Sequence, residues 1–346
     1  MQFDKSIDRK RILFPILALL LVIFFLLDLF LGSTAIPFQE IIKSLFSSAS
    51  KPEWNLIVYD FRLPKALAAI FAGVALSVSG LQMQVIFRNP LAGPDVLGIS
   101  SGASLGVALV VLSMASVLPL TFLSFAGSWV VVLSACIGAA ATMGIILTVS
   151  ARVKDILTVL ILGIMIGAAF SSIVSILQYF GNETLLKSFI VWTLGSLGHI
   201  SWEQLEVMIP VICIGIILSL LLSKRLNAML IGEKYAQSMG VNIKTTRLLV
   251  FTSTSLLAGS VTAFCGPIAF VAIAVPHLCR KIFKTSDNFI LLFSSIMIGA
   301  ITLLISDIIS QLPGSSLTLP INSVTSLLGI PIVVWIIVRN TNKHNW

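Results

Sequence analysis

Hydrophobic positions in this chain come in long runs, with the polar positions confined to short stretches between them. Residues 12–27, from Ile12-Leu13-Phe14-Pro15 to Leu26-Leu27, carry no charge, and the same texture returns repeatedly toward the C-terminus. Roughly 20 apolar helical residues cross a hydrocarbon core of about 30 Å. The runs lack the period-two alternation of barrel strands, so helices are left to satisfy backbone hydrogen bonds in lipid. The pattern predicts an all-α membrane protein, a polytopic bundle of about ten transmembrane helices. They fall at 12–31, 63–84, 96–114, 122–149, 156–180, 205–223, 248–266, 268–276, 289–306 and 321–338. The eighth is too short to cross alone and reads as a broken or half helix followed by an interfacial turn.

Composition agrees and excludes several function classes. Mean hydropathy is +1.06 and only 10% of residues are charged, against about 25% in a soluble domain. The polar stretches are too short for a nucleotide-binding or redox domain, so residues 1–346 read as one transmembrane domain. Cys136, Cys213, Cys265 and Cys279 form no CxxC, and His199, His277 and His344 have no ligand spacing, so neither metal nor cofactor is expected. Gly98-Ile99-Ser100-Ser101-Gly102 fits G-x-S-x-G, but it lacks the strand–turn–helix setting and the histidine partner of a nucleophile elbow. The chain is not expected to be an enzyme. No small-residue cleavage site follows the first apolar run, which reads as a signal anchor.

The net charge of +8 follows the positive-inside rule and is no nucleic-acid footprint. With the N-terminus inside, Lys5, Arg9, Lys10, Arg11, Arg88, Arg152, Lys154, Lys224, Arg225, Lys234, Lys244, Arg247, Arg280, Lys281, Lys284, Arg339 and Lys343 fall on the inner side. Only Lys43, Lys51, Arg62, Lys65 and Lys187 fall outside. Both termini are therefore expected in the cytoplasm. Asp28 and Asp307 sit near outer span ends, where solvation suits them better than ion coupling.

The stretch from Ala72-Gly73 to Gly80 returns in spacing as Ala258-Gly259 to Gly266, and the same offset carries Pro90 onto Pro276. The copies would have opposite topology, suggesting inverted repeats over 62–180 and 247–338, as transporters use. Small residues at this spacing also serve simple close packing.

Five further stretches carry chemistry. Arg62-Leu63-Pro64-Lys65 precedes the second span, and Phe87-Arg88-Asn89-Pro90-Leu91-Ala92-Gly93-Pro94-Asp95 leads through Gly98 into the third. Two prolines four residues apart break a helix there, and irregular backbone at membrane depth suits a gate or a re-entrant connection. Leu230-Ile231-Gly232-Glu233-Lys234-Tyr235-Ala236-Gln237-Ser238-Met239-Gly240-Val241-Asn242 is polar, with helix formers ahead of Gly240 as a C′ glycine. Gly266-Pro267-Ile268-Ala269-Phe270-Val271 to Val275-Pro276-His277, and Leu319-Pro320-Ile321 to Leu328-Gly329-Ile330-Pro331, complete the set. In order and spacing these segments resemble the permeases of the FecCD, or type II, ATP-binding-cassette importers, from about residue 60 to 338.

The resemblance implies a cobalamin-permease-like subunit that moves an iron chelate (siderophore), haem or cobalamin across the bacterial inner membrane. Energy would come from ATP hydrolysis on separate ATPase subunits. An extracytoplasmic binding protein, a second permease copy and membrane lipid would be the other partners. It implies ATPase coupling within 224–247 through Gly232, Glu233, Ala236 and Gly240, and binding-protein docking through Arg62 and Lys65. It places an inner gate at Asn89 and Leu91 with Ile156 and Leu157. The chain departs from the family pattern at Ile156 and Leu157, where relatives carry small hydroxyl residues. It departs again at Gln311, often basic, at Asn322, usually glycine, and at Ile330, usually alanine. The rival is an ion-gradient-driven secondary transporter, which would show paired acids near the midplane. A membrane-embedded hydrolase would need an acid or histidine constellation at depth.

Overall fold

Residues 2–32, 34, 36–45, 51–113, 120–153, 155–311 and 318–341 are described by a computed structural model. Lys154, Lys343 and His344 lie outside them. Among the described residues, 7 helices are long and apolar enough to cross a membrane: Ile12–Phe30, Pro52–Ile86, Trp129–Arg152, Ile156–Phe180, Trp202–Ile231, Ile243–Cys265 and Asn288–Ser310. Ile99–Leu112 and Ile321–Trp335 are shorter apolar helices. In chain order the α-helices are α1 (Gln2–Phe30), α2 (Phe38–Leu45), α3 (Pro52–Leu56), α4 (Leu63–Ile86), α5 (Ile99–Ala108), α6 (Leu120–Arg152) and α7 (Ile156–Phe180). There follow α8 (Glu183–Thr193), α9 (Trp202–Ile231), α10 (Glu233–Ser238), α11 (Ile243–Cys265), α12 (Val271–Phe283), α13 (Asn288–Ser310) and α14 (Ile321–Thr341).

The chain divides into two compact units. The first comprises Met1–Val78, Ser196–Ile209 and Ala269–Trp346. Within it α13 packs on α1, α12 and α14. A Cβ on Gly73 would stand 2.2 Å from the Gly299 carbonyl oxygen, so backbone meets backbone there. One turn on, the Ser77 hydroxyl donates to Ser295 O at 2.8 Å. The second unit comprises Ser79–Gly195 and Pro210–Ile268. Here α5 lies against α6 and α7. A Cβ on Gly106 would lie 2.1 Å from Ser134 O, one on Gly138 2.0 Å from Gly102 O, and one on Gly163 2.3 Å from Val96 O. Gln82 adds polar glue, donating to Ser219 at 2.9 Å and accepting from Thr254 at 3.2 Å, all buried.

Three features correct or extend the sequence reading. The eighth span extends further than expected: α12 runs through Pro276 to Phe283, 13 residues in all, and is still too short to cross alone. Its last turn carries Arg280 and Lys281, which complement the negative helix end, and Lys281 sits 3.3 Å above the Trp335 ring centroid. The second span begins earlier than expected: α3 passes through a π-helical stretch, Ile57–Arg62, directly into α4. The linkers also hold short helices, α2 and α8, the latter capped by the Asn182 side chain on the Thr184 N–H.

Candidate functional site

The segment expected to hold the inner gate forms where α4 stops. Helix α4 ends at Ile86, and the prolines keep the chain non-helical until the 3-10 turn Pro94–Leu97. The Asn89 side-chain oxygen accepts the Leu91 N–H at 2.9 Å, fixing a tight turn that leaves both residues exposed. Gly98 then adopts φ +72° before α5 starts, a conformation that suits glycine, with the Gly163 carbonyl and the Gly167 backbone close by. The second pair lies on α7, where Ile156 is half-buried against the core and Leu157 is exposed. The segment after α4 and helix α7 are joined by the backbone contacts of Gly98 and Val96 with Gly163. Asp155 caps α7, accepting from the Leu157 and Thr158 amides at 3.3 and 3.1 Å and from the Thr158 hydroxyl at 2.9 Å. That hydroxyl, then the amides, hold the carboxyl below its usual range.

The segment expected to engage an ATPase is built from its two ends. Gly232 opens it at φ +150°. Ala236 is fully buried, whereas Tyr235 and Met239 are each 66% exposed on the other side of α10. The Gly240 N–H bonds Gln237 O, and the Val241 N–H bonds Ala236 O, both at 2.9 Å. With Gly240 at φ +83° this is a Schellman closure. Asn242 then caps α11 through the Thr245 amide. Glu233 pairs with Arg247 at 2.6 Å, tying α10 to α11. Ser150, Ala151, Lys244, Thr245 and Leu248 line a cavity of about 190 Å³ beside Arg247. The sequence reading counted Arg88 and Arg247 only as inner charge; their side chains turn out to make the segment's long-range contacts.

Arg62 and Lys65, expected to dock the binding protein, sit differently from free surface cations. The buried Arg62 guanidinium donates to Leu29 O at 2.7 Å, to Phe30 O at 3.0 Å and to Thr34 O, so it caps the end of α1. Lys65 pairs with the buried Asp307 at 3.1 Å. Gln311 donates to Asp28 at 3.2 Å and to Asp307 at 2.9 Å. Both cationic heads are thus committed within the unit, against partners too distant in sequence for spacing to reveal. Asn322 also gains a role: it accepts the Ala269 N–H at 3.0 Å, holding the broken segment ahead of α12. Among the described residues, no three His, Cys, Asp or Glu side chains come together as a metal site.

Known proteins match this arrangement over nearly its whole length. The model of the FecCD transport family matches residues 20–339. The vitamin B12 import system permease protein BtuC of Klebsiella pneumoniae is 33% identical over 94% of this chain and 93% of its own length. The hemin transport system permease protein HmuU of Yersinia pestis is 34% identical over 97% of this chain and 98% of its own. A solved structure described as an inward-facing conformation of a metal-chelate type ABC transporter is 28% identical, with a TM-score of 0.82, covering 95% of this chain and 99% of that one.

Proposed function

Because the chain belongs to the FecCD transport family, we propose that it carries a metal chelate, haem or cobalamin across the bacterial inner membrane as one of two identical permease copies. At the coarser level it is an ABC importer permease of the inner membrane, acting with ATPase subunits and a substrate-binding protein. It belongs to a transport family and not to a family of enzymes. The substrate class rests on relatives that carry vitamin B12 and hemin and on a metal-chelate type neighbour.

The observation that carries the reading is the inner segment from Gly232 to Gly240. It is fixed at both ends, tied by Glu233 to Arg247, and bare over Tyr235 and Met239. A short pre-shaped helix of this kind can seat in an ATPase groove and pass on its closure as rigid-body motion. In our reading Gly232, Glu233, Ala236 and Gly240 form the coupling element, and Asn89, Leu91, Ile156 and Leu157 the inner gate. The gate closes by apolar dewetting at Ile156 and Leu157.

Helix α7 supports the second copy. Only 22% of its span is buried, and its uncovered face includes Ser171, Ser172 and Ser175. That mixed face suits a watery path between copies better than lipid. The repeats 62–180 and 247–338 remain part of this proposal, as the frame on which access alternates. Arg62 and Lys65 enter it as residues that hold the shape of the surface met by the binding protein. The test is co-purification and vesicle uptake: an ATPase that adheres, with vanadate-sensitive uptake, supports the proposal. Uptake that follows a proton or sodium gradient without ATP favours the secondary transporter.

A further inference from the structure

Arg88 closes the C-terminus of α4 in a left-handed conformation, φ +47°, although it is not glycine. Its amide still bonds Val85 O at 3.2 Å, the closure of a helix end for which glycine is the usual choice. A residue kept in a costly conformation signals that its side chain is needed. That side chain donates from Nη2 to Met229 O at 3.1 Å. Met229 lies in the last turn of α9, whose carbonyls lack partners within the helix and form its negative end. Directly after that turn stands Gly232, followed at once by α10. On the other side, Arg88 immediately precedes Asn89 and the exposed Leu91. The preceding residue, Phe87, stacks on Phe251 of α11 at 6.0 Å, the helix whose Arg247 holds Glu233. One guanidinium therefore ties the end of α9, from which α10 follows after Gly232, to the residue ahead of the Asn89–Leu91 turn.

Resting on the coupling and gate reading above, we propose that Arg88 is a positioning residue that transmits movement of the α9–α10 junction to the Asn89–Leu91 turn. It acts through the Met229 carbonyl and touches no substrate. When a partner displaces α10, the α9 end carries Arg88 with it, and the turn follows because Arg88 and Asn89 are adjacent.

The backbone supplies a clean test. Arg88→Gly keeps the left-handed closure, relieves its strain and deletes only the bridge. The full complex of permease, ATPases and binding protein is reconstituted in vesicles, and uptake per ATP hydrolysed is measured with the thermal midpoint of the purified permease. We expect Arg88→Gly to lower uptake per ATP by about tenfold or more, the scale of a lost charge-assisted bond. Basal ATP hydrolysis should persist, and the thermal midpoint should hold or rise. Arg88→Lys, which keeps one donor, should recover part of the loss. Wild-type uptake per ATP in Arg88→Gly overturns the proposal. So does a fall in its thermal midpoint, which would make the contact a structural staple. Tyr235→Glu with Met239→Glu is the control: if that variant transports normally, the coupling reading itself fails. If it is inactive while Arg88→Gly is normal, only this inference fails.

Discussion

Two clusters of charge in this chain look alike in sequence and differ in what they do. At Arg62 and Lys65 every charged head finds an internal partner: α1 carbonyls for one, Asp307 for the other. At 232–247 Glu233 and Arg247 also pair, but the helix they fix turns Tyr235 and Met239 outward with nothing over them. Lysines and arginines flanking a span therefore do not say whether they serve the fold or a partner. In the function proposed above, the element that meets a partner is marked instead by apolar side chains left bare on a helix whose ends are closed.

The strongest way to break this contrast is to obstruct the bare helix. A Cβ on Gly240 meets nothing within 4 Å, so Gly240→Trp costs chiefly its positive φ, roughly 1–2 kcal/mol. Its indole would stand where the proposal seats an ATPase, and ATP-driven uptake in vesicles should be lost while the permease still folds. Normal uptake would remove α10 from the coupling path.

Next in size is the internal pair. Lys65→Met leaves Asp307 buried without its cation and should cost about 3 kcal/mol of stability, read by chemical or thermal unfolding in detergent. Lys65→Met with Asp307→Leu should recover most of that. No loss in the single variant would mean that Lys65 faces a partner after all. Arg62→Ala removes the cap on α1 and should cost about 2 kcal/mol. Binding-protein affinity in this variant should show the same salt dependence as the wild type. A lost salt dependence would return Arg62 to direct docking.

The smallest effect concerns Asp155. Its carboxyl titrates below the usual range because it accepts from the Thr158 hydroxyl and the amides of α7. A depressed folded value gives stabilisation that is present above the ordinary carboxylate range and lost as pH falls through the folded value. The protection factor of the Thr158 amide, taken against its intrinsic exchange rate at each pH, should therefore fall at acid pH, and Asp155→Ala should show low protection at all pH values. A pH-independent protection factor in the wild type would remove the cap from the account.

Much of the fold was legible because membrane helices announce themselves by length and hydropathy. The ends of α4, α5 and α10 were legible too, since Pro90, Pro94 and Gly240 restrict local backbone and need no tertiary information. The end of α12 was not. Pro276 reads as a breaker, but the following turn is held by Arg280, Lys281 and the Trp335 ring, a contact spanning many residues. The commitments of Arg62 to α1 and of Asn322 to Ala269 were invisible for the same reason: the acceptors are backbone atoms, which leave no trace in residue type. Arg88 was hidden otherwise, because a left-handed arginine looks like any other inner positive charge until its dihedral is known.

Vesicles holding the purified permease with its co-purifying subunits, loaded with ATP or energised only by a proton or sodium gradient, decide whether the bare α10 helix takes its energy from a docked ATPase. The account predicts uptake with ATP alone, abolished by vanadate and by Tyr235→Glu with Met239→Glu. Uptake that needs the gradient, ignores vanadate and survives that double substitution would contradict it.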